Sequence, residues 1–333
     1  MKPKTIVSVL ESSSAANDVA LTRALSLAQW YESDLHVLDV QASSRVEDSG
    51  GDAIRNELVE RITLAAHASG AGGVNITSSV LSGSPVRAIA DYTGRVAADL
   101  VVVSKKARRS KGYWSAGSFA AALGKAVKAP TIAIPSEGAQ PAESGTPFRN
   151  ILSAIDFSEV SFRALSEALA LAQQSGGHLR LLHVLDGFPY EAVYSGSRAF
   201  RLMHDFRARV ARVNRELQSL IPSDAYNWTE IEVATVSGEA HEAILAAASE
   251  RRTDLIVLGL PRRPRLEQFV SGSTVHRVLR RATSPVLLVP GPATASLFRP
   301  ADEHGGQFAR YPSALGLRAV ETAGETKRGA SWR

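Results

Sequence analysis

Two segments of the chain, 144 residues apart, have almost the same sequence: Ala24–Gln29 (ALSLAQ) and Ala168–Gln173 (ALALAQ). A second pair follows in the same order, Asp99–Val103 (DLVVV) and Asp254–Leu258 (DLIVL), at an offset of 155 residues. Later matches keep the offset of 155, so one insertion lies between the two pairs, in the helical stretch after Tyr194. Internal repetition of this kind indicates a duplicated structural unit. The chain therefore contains two copies of one module.

Each copy alternates short apolar runs with helical patterns. In the second copy the predicted strands and helices alternate in the order Asn150–Ile155, Ser158–Gln174, His178–Leu185, Ser197–Leu220, Trp228–Val236, Ala240–Ala248, Leu255–Gly259, Ser273–Arg281 and Val286–Val289. The first copy repeats this order from Thr5 to Pro135. Strands joined by helices form parallel sheets through right-handed crossovers. We predict an α/β fold of two tandem Rossmann-like domains, each a five-stranded parallel sheet with helices on both faces.

Composition sets the boundaries of these domains. The stretch from Ser136 to Pro147 is rich in Gly, Pro, Ser, Ala and Glu, which is typical of a linker. After Pro292 the apolar periodicity stops and the sequence becomes polar. We expect a first module at residues 1–137, a linker at 138–147, a second module at 148–291 and a disordered tail at 292–333.

Composition also excludes several classes of site. The 333 residues include no cysteine, which rules out disulfides, thiolate metal sites and cysteine nucleophiles. No window approaches the roughly 20 apolar residues of a membrane span, and no cleavable leader is visible, so we expect a cytoplasmic protein without a membrane partner. The four tryptophans form no stacking stripe. The sequence therefore gives no support to base stacking, and we do not expect nucleic acid among the partners.

A candidate site lies at one edge of the second predicted sheet. In an open parallel sheet, ligands bind beyond the carboxyl ends of the strands, where the strand order reverses. Asp156 ends the first strand of this module and Gly259 ends the fourth. Gly272, Ser273 and Thr274 open the last helix, whose free N–H groups suit a phosphate. The two glycines could equally be turn and cap residues.

In these residues the sequence resembles the universal stress protein family. The resemblance rests on Ile151–Glu159 (ILSAIDFSE), Leu181–Val184 (LLHV), Gly238 before an Ala-rich helix, and Val257–Pro290 with its Gly272-Ser273 pair. It covers nearly the whole of both modules. It implies that each module has the adenine nucleotide alpha hydrolase-like form of the Rossmann fold. It also implies a regulatory protein of the stress response.

The resemblance implies an adenine-nucleotide site in the second module. In such a site Asp156 contacts the adenosine portion, Val184 lines the base pocket, and the residues that open the last helix hold the phosphates. The ligand implied is ATP or another adenine nucleotide, with Mg²⁺ accompanying the phosphates. The implied binding residues are Ala154, Asp156, Val184, Leu258, Gly259, Arg262, Gly272, Ser273 and Thr274.

The sequence departs from the family pattern at one position of this site. Nucleotide-binding members resembling this chain carry Gly-x2-Gly-x9-Gly-[Ser/Thr] around the phosphates. Gly259 and Gly272 match the first and third glycines, but Arg262 replaces the second. A side chain restricts backbone conformations that glycine allows, whereas a guanidinium binds phosphate well. Arg262 therefore either obstructs the phosphates or clamps them.

The first module departs further from the pattern. Glu11, Ser104 and Ala107 stand where the second module has Asp156, Gly259 and Arg262, although Gly117 and Ser118 keep the last two positions. A longer acid and a lost glycine both argue against a tight phosphate loop. We therefore expect the nucleotide site of the first module to be degenerate.

Both copies have a basic segment between the fourth strand and the last helix. The first comprises Lys105, Lys106, Arg108, Arg109 and Lys111, and the second comprises Arg262, Arg263 and Arg265. Such a segment is either a solvated face or an anion-attracting loop beside the phosphate site.

Three functions stay open on the sequence. The leading one is a non-catalytic regulatory protein that binds ATP, in contact with a protein partner that the sequence does not identify. The second is a nucleotide-free protein for dimerisation and interaction. The third is a weak ATPase, for which the sequence offers no general base.

The last strands of the two modules predict how they meet. Thr131–Ile134 and Val286–Val289 are short, apolar and expected at sheet edges, and exposed edges tend to pair. Family members that this chain resembles dimerise through this strand. We therefore predict that the two strands pair antiparallel as an intramolecular pseudo-dimer, and homodimerisation of the chain is left open.

Overall fold

The computed structural model describes residues 3–10, 19–41, 51–105, 117–135, 148–187, 197–261 and 274–291. The strands are β1 (Thr5–Leu10), β2 (Asp34–Gln41), β3 (Ile76–Ser82), β4 (Leu100–Ser104), β5 (Thr131–Ile134), β6 (Asn150–Ala154), β7 (His178–Leu185), β8 (Glu230–Ser237), β9 (Leu255–Leu260) and β10 (Val286–Pro290). The helices are α1 (Val19–Tyr31), α2 (Gly51–Ser69), α3 (Pro85–Arg95), α4 (Ser118–Ala126), α5 (Glu159–Ser175), α6 (Ser197–Ser219), α7 (Ala240–Glu250) and α8 (Thr274–Arg281).

All ten strands belong to one sheet in the order β3-β2-β1-β4-β5-β10-β9-β6-β7-β8. Each half has the same internal order, with the first strand of the module between its second and fourth strands, and all pairs inside a half are parallel. The strand order reverses beside β1 in the first module and beside β6 in the second. The predicted fold, two tandem α/β modules with five parallel strands each, is confirmed.

Helices cover both faces of this sheet. Buried side chains of α3, α4, α7 and α8 form one continuous core with one face of the strands. The right-handed crossovers then place α1, α2, α5 and α6 on the other face. Ala164, Leu165, Ala168, Leu169 and Ala172 form the fully buried stripe of α5, at the helical spacing expected for a helix that packs on a sheet.

The seam between the modules is the antiparallel pair β5–β10. Val286 lies opposite Ala133, Leu287 opposite Ile132, and Leu288 opposite Thr131. All six residues are fully buried. The predicted pairing of the two last strands is confirmed, and it leaves β3 and β8 as the two edges of the joint sheet.

The repeated aspartates have the same structural role in both modules. The Asp99 carboxylate accepts the N–H groups of Lys4 (2.7 Å) and Thr5 (3.1 Å) at the start of β1. The Asp254 carboxylate accepts those of Arg149 (2.7 Å) and Asn150 (3.0 Å) at the start of β6. An otherwise unpaired strand end thereby gains its hydrogen bonds in each copy.

The predicted elements differ from the structure in small details. The strand predicted from Trp228 begins at Glu230, because Ser223–Asn227 form a 3-10 turn that Trp228 ends. The predicted linker and tail lie outside the described residues, as do Glu11, the whole second basic segment and the first basic segment except Lys105. No helix among the described residues is both long and apolar enough to cross a membrane.

Candidate functional site

Six of the predicted site residues lie together at the carboxyl edge of the second module, where the strand order reverses. Asp156 follows β6, Val184 lies near the end of β7, and Leu258 and Gly259 lie near the end of β9. Ala154 ends β6, and Thr274 begins α8. Arg262, Gly272 and Ser273 lie outside the described residues.

The carboxylate of Asp156 is held by the turn that follows β6. Its Oδ1 accepts hydrogen bonds from the backbone N–H of Ser158 at 3.0 Å and from the Ser158 hydroxyl at 2.5 Å. Burial raises the pKa of Asp156, but hydrogen bonds from Ser158 and Ser161 outweigh this and hold the pKa below its usual value. At neutral pH Asp156 is an ionised acceptor at the site.

The turn after Asp156 has a strained backbone. Phe157 has a φ of 60°, a left-handed conformation that non-glycine residues rarely adopt. Its ring packs on His183 at a centroid distance of 4.9 Å and edge-on to Phe162 at 6.4 Å. The strain allows the chain to turn from β6 into α5, where the Ser158 hydroxyl caps the helix by accepting the N–H of Ser161.

His183 lies on β7 beside this turn. Its Nδ1 is 2.7 Å from the carbonyl oxygen of Ile155, which can only accept, so Nδ1 carries a proton and donates it to this bond. The half-buried imidazole therefore supports the turn that carries Asp156.

Three apolar members of the predicted site share one face of the sheet. Ala154 and Val184 are half-buried and pack on the core formed with α7 and α8, and Leu258 is buried in that core. The half-exposed pair offers an apolar surface close to Asp156, as a base pocket requires.

Gly259 has a packing role that is independent of any ligand. A Cβ at this position would lie 2.8 Å from the carbonyl carbon and oxygen of Val160, in the first turn of α5. Real Cβ atoms do not approach a backbone so closely. Glycine is therefore required here for the start of α5 to pack against β9, whether or not β9 also ends in a phosphate loop.

A polar groove adjoins the start of α8. Its volume is about 630 Å³, and it is lined by Asp186, Glu239, Ala240, His241, Glu242, Thr274, Arg277, Arg280 and Arg281. Arg277 pairs with Glu239 at 3.7 Å and Arg281 pairs with Glu242 at 3.9 Å. His241 is buried between the same two carboxylates, 4.0 Å from Glu239 and 3.8 Å from Glu242.

The first module lacks three of the titratable side chains that line this groove. At the offset of 155 residues, Val86 stands where the second module has His241. Ala122 and Ala126 stand where it has Arg277 and Arg281. The fold of a module therefore does not depend on these three side chains. The groove was not predicted from the sequence. The difference between the two copies at these positions is the signal that could have indicated it.

The described residues of the first module that correspond to the candidate site take part in the contact between modules. Gly117 has a φ of 82°, and a Cβ on it would lie 2.9 Å from the Leu279 Cβ of α8. Lys105 is buried, and its amino group donates a hydrogen bond to the Ala282 carbonyl beyond α8. For Lys105 the expectation of a solvated or anion-attracting loop is wrong, because this side chain is buried and bonded to the second module.

Comparison with known proteins identifies the relatives of both modules. The sequence profile of the universal stress protein family matches residues 2–135 and 147–290. Universal stress protein YxiE of Bacillus subtilis is 29% identical over 150 residues, which cover 43% of this chain and 99% of that protein. A universal stress protein of Thermus aquaticus is 32% identical over 145 residues, with 43% and 98% covered.

A solved structure resembles the whole tandem arrangement. A universal stress protein from Archaeoglobus fulgidus has a TM-score of 0.59 to this chain at 19% identity. The match covers 86% of this chain and 98% of the other. At this identity the similarity concerns the fold.

Proposed function

The chain belongs to the universal stress protein family, and we propose that it is a non-catalytic regulatory protein that binds ATP in its second module. In this proposal the nucleotide lies at the carboxyl edge of β6 and β9, and Mg²⁺ accompanies its phosphates. The proposed modules are residues 1–137 and 148–291, joined by a linker at 138–147, and a tail follows from 292.

The observation that carries the proposal is the ionised Asp156 carboxylate at the point where the strand order reverses. Its oxygens are acceptors for the hydroxyl groups of ribose or the amino group of adenine. Ala154 and Val184 supply apolar surface beside it. The first module has Glu11 and Ser104 in place of Asp156 and Gly259, so the proposal assigns the nucleotide to the second module alone.

The groove beside Thr274 supports a ligand that carries several phosphates. Three arginines line it, and the Arg277–Glu239 and Arg281–Glu242 pairs at 3.7 and 3.9 Å are longer than a direct charge-assisted hydrogen bond. Such loosely held guanidinium groups can turn from the carboxylates to a phosphate. We assign Arg277 and Arg281 to the outer phosphates of the bound nucleotide.

A nucleotide-free interaction protein is the second candidate, and the glycines favour it. Gly259 and Gly117 both occupy positions that resemble a phosphate loop. The contacts of Gly259 with Val160 and of Gly117 with Leu279 account for both glycines without a ligand. The two candidates differ in whether the purified protein carries or takes up nucleotide.

The decisive experiment has two steps. Mass spectrometry first identifies any nucleotide that the purified protein releases on denaturation. The full chain is then titrated calorimetrically with ATP and with adenosine. Asp156→Ala should weaken both ligands by about ten-fold or more, since a hydrogen bond to a charged group contributes about 1.5–3 kcal/mol. Glu11→Ala is the matched control and should change neither. Equal losses in the two variants would contradict the assignment of the nucleotide to the second module alone. No uptake of ATP by the wild-type protein would favour the nucleotide-free candidate.

A second pair of variants tests the phosphate assignment. Arg277→Gln should weaken ATP while leaving adenosine unchanged, because the lost guanidinium faces only the phosphates. Arg87→Gln removes an exposed arginine of the first module and serves as the control. Loss of adenosine affinity in Arg277→Gln would show that the groove supports the site only indirectly.

A further inference from the structure

Helix α6 presents an unusually basic surface. It contains six arginines and no lysine, against Asp205 and Glu216. Five of the arginines have described side chains, and all five are exposed: Arg201, Arg207, Arg209, Arg212 and Arg215. Among the residues that the structure describes, none of the five forms an ion pair with a carboxylate. The apolar side chains of Val213 and Leu217 are buried, so the arginine-bearing side of the helix faces outward.

The fold does not require this surface. Helix α2 connects β2 to β3 as α6 connects β7 to β8, so it is the duplicate of α6 in the first module. It has two arginines against three acidic residues, Asp52, Glu57 and Glu60. The segment that contains α6 is also the one that carries the insertion relative to the first module. The second module is therefore longer at this point and carries an excess of positive charge that the first module lacks.

The arginines are distributed around the outer half of α6. At about 100° per residue, Arg201 and Arg212 point in nearly the same outward direction. Arg207 and Arg209 lie on opposite flanks, about 160° apart. The rise of about 1.5 Å per residue separates Arg201 from Arg215 by roughly 21 Å. The positive charge thus wraps a convex rod along about four turns.

We propose that the outward face of α6 is a docking surface for double-stranded DNA, bound through the phosphate backbone without base readout. The major groove is about 12 Å wide and admits an α-helix, with phosphates on both of its sides. Arginines on both flanks and on the outer stripe of α6 match that arrangement. Guanidinium groups bind phosphate in a bidentate manner, which suits a helix whose cationic residues are all arginine.

A flat anionic membrane fits this surface less well. It could reach the outer stripe of α6 but not Arg207 and Arg209 together. Phe200, 75% exposed, is the only large apolar side chain that the structure describes as exposed on α6. Amphipathic helices that lie in a membrane insert a continuous apolar face, and that face of α6 packs on its own module. The sequence has no stripe of aromatic residues, which argues against binding of single-stranded nucleic acid through stacked bases. It does not argue against contacts with the phosphate backbone of a duplex.

The test uses the full chain and a fluorescein-labelled DNA duplex of about 20 base pairs, with anisotropy measured from about 50 to 200 mM NaCl. We expect binding that falls steeply with salt. The triple variant Arg201→Gln, Arg212→Gln, Arg215→Gln should weaken binding at low salt at least ten-fold. It should also reduce the salt slope by about two to three units, at roughly 0.9 per phosphate contact.

The matched control removes the same charge elsewhere. Arg55→Gln, Arg87→Gln, Arg95→Gln changes three exposed arginines of the first module and should leave binding nearly unchanged. Circular dichroism and thermal melting establish that both variants fold. Equal losses in both triples, or no binding by the wild-type protein at low salt, overturns the proposal. Binding to phosphatidylglycerol vesicles without binding to DNA also overturns it, in favour of a membrane.

Discussion

The Lys105 amino group of the first module donates a hydrogen bond to the Ala282 carbonyl of the second, just beyond the end of α8. The last carbonyl groups of a helix lack partners within the helix and favour a nearby positive charge. Burial lowers the pKa of Lys105 from 10.5 to about 8. The contact therefore joins the modules through a lysine that is costly to keep charged.

We predict that Lys105 makes the stability of the protein depend on pH in the alkaline range. Between about pH 8 and 10.5 the unfolded chain binds a proton that folded Lys105 has lost, so its contribution to the free energy of unfolding rises with pH across this window. Urea unfolding from pH 7.5 to 10 should show this rise in the wild-type protein and lose it in Lys105→Met. The exposed Lys125→Met is the control and should retain it. Identical profiles for wild type and Lys105→Met would contradict the prediction.

The seam predicts energetic coupling between the modules. Ile132 and Leu287 are directly opposed and fully buried, so each change to alanine should cost about 2–5 kcal/mol of unfolding free energy. The double variant should cost less than the sum by about 0.5–3 kcal/mol, because the two side chains share one contact. Ile132→Ala combined with Leu38→Ala, a core change on another strand, should be additive. Additivity in both pairs would mean that the seam transmits no coupling.

The close packing of Gly259 predicts that its replacement destabilises the protein even in the absence of any ligand. Gly259→Ala places a Cβ 2.8 Å from the Val160 backbone, and overpacking of this kind costs about 1–3 kcal/mol. Gly94, inside α3, has no atom within 4 Å of an added Cβ. Gly94→Ala should therefore stabilise the protein by about 0.5–1 kcal/mol. Denaturant unfolding of the nucleotide-free protein measures the stability of both variants. An unchanged midpoint in Gly259→Ala would mean that packing does not require the glycine. A phosphate loop would then be the only reason for it.

Replacement of Arg262 should show whether this side chain obstructs the phosphates of a bound nucleotide or clamps them. If the side chain obstructs the site, Arg262→Gly should tighten ATP binding by restoring the family pattern. If it clamps phosphate, the same change should weaken ATP more than adenosine. Titration with both ligands separates the two cases, and unchanged affinity for both would mean that Arg262 does not touch the nucleotide.

Much of the architecture could be predicted because its causes are local or repeated. Apolar periodicity identified the strands and helices to within about two residues, since side chains on one face of an element recur at fixed spacing. The repeated Asp99 and Asp254 marked equivalent strand starts, and the structure gives both the same pair of backbone hydrogen bonds. The short apolar β5 and β10 indicated their own pairing, because unpaired edges seek partners.

The site was only partly predictable. Asp156 could be located from the strand that it ends, since the position of a residue after a parallel strand fixes the sheet edge at which it lies. The strained Phe157 and its contact with His183 could not, because nothing in the local sequence indicates a left-handed phenylalanine. The charged groove around His241 brings together α7 and α8, whose side chains meet only in the folded module.

The sequence by itself determined two duplicated α/β modules, their order of elements and the edge of the sheet at which Asp156 lies, because periodicity and repetition act over short stretches of chain. Only the tertiary structure decided what individual residues do at the contacts between distant segments. Lys105 belongs to a basic run in the sequence, yet it is buried against Ala282, 177 residues away. Gly259 matches a phosphate-loop pattern, yet its contact with Val160 on α5 already requires a glycine. Burial and close approach depend on which surfaces the fold brings together, and this is not encoded in any single stretch of sequence.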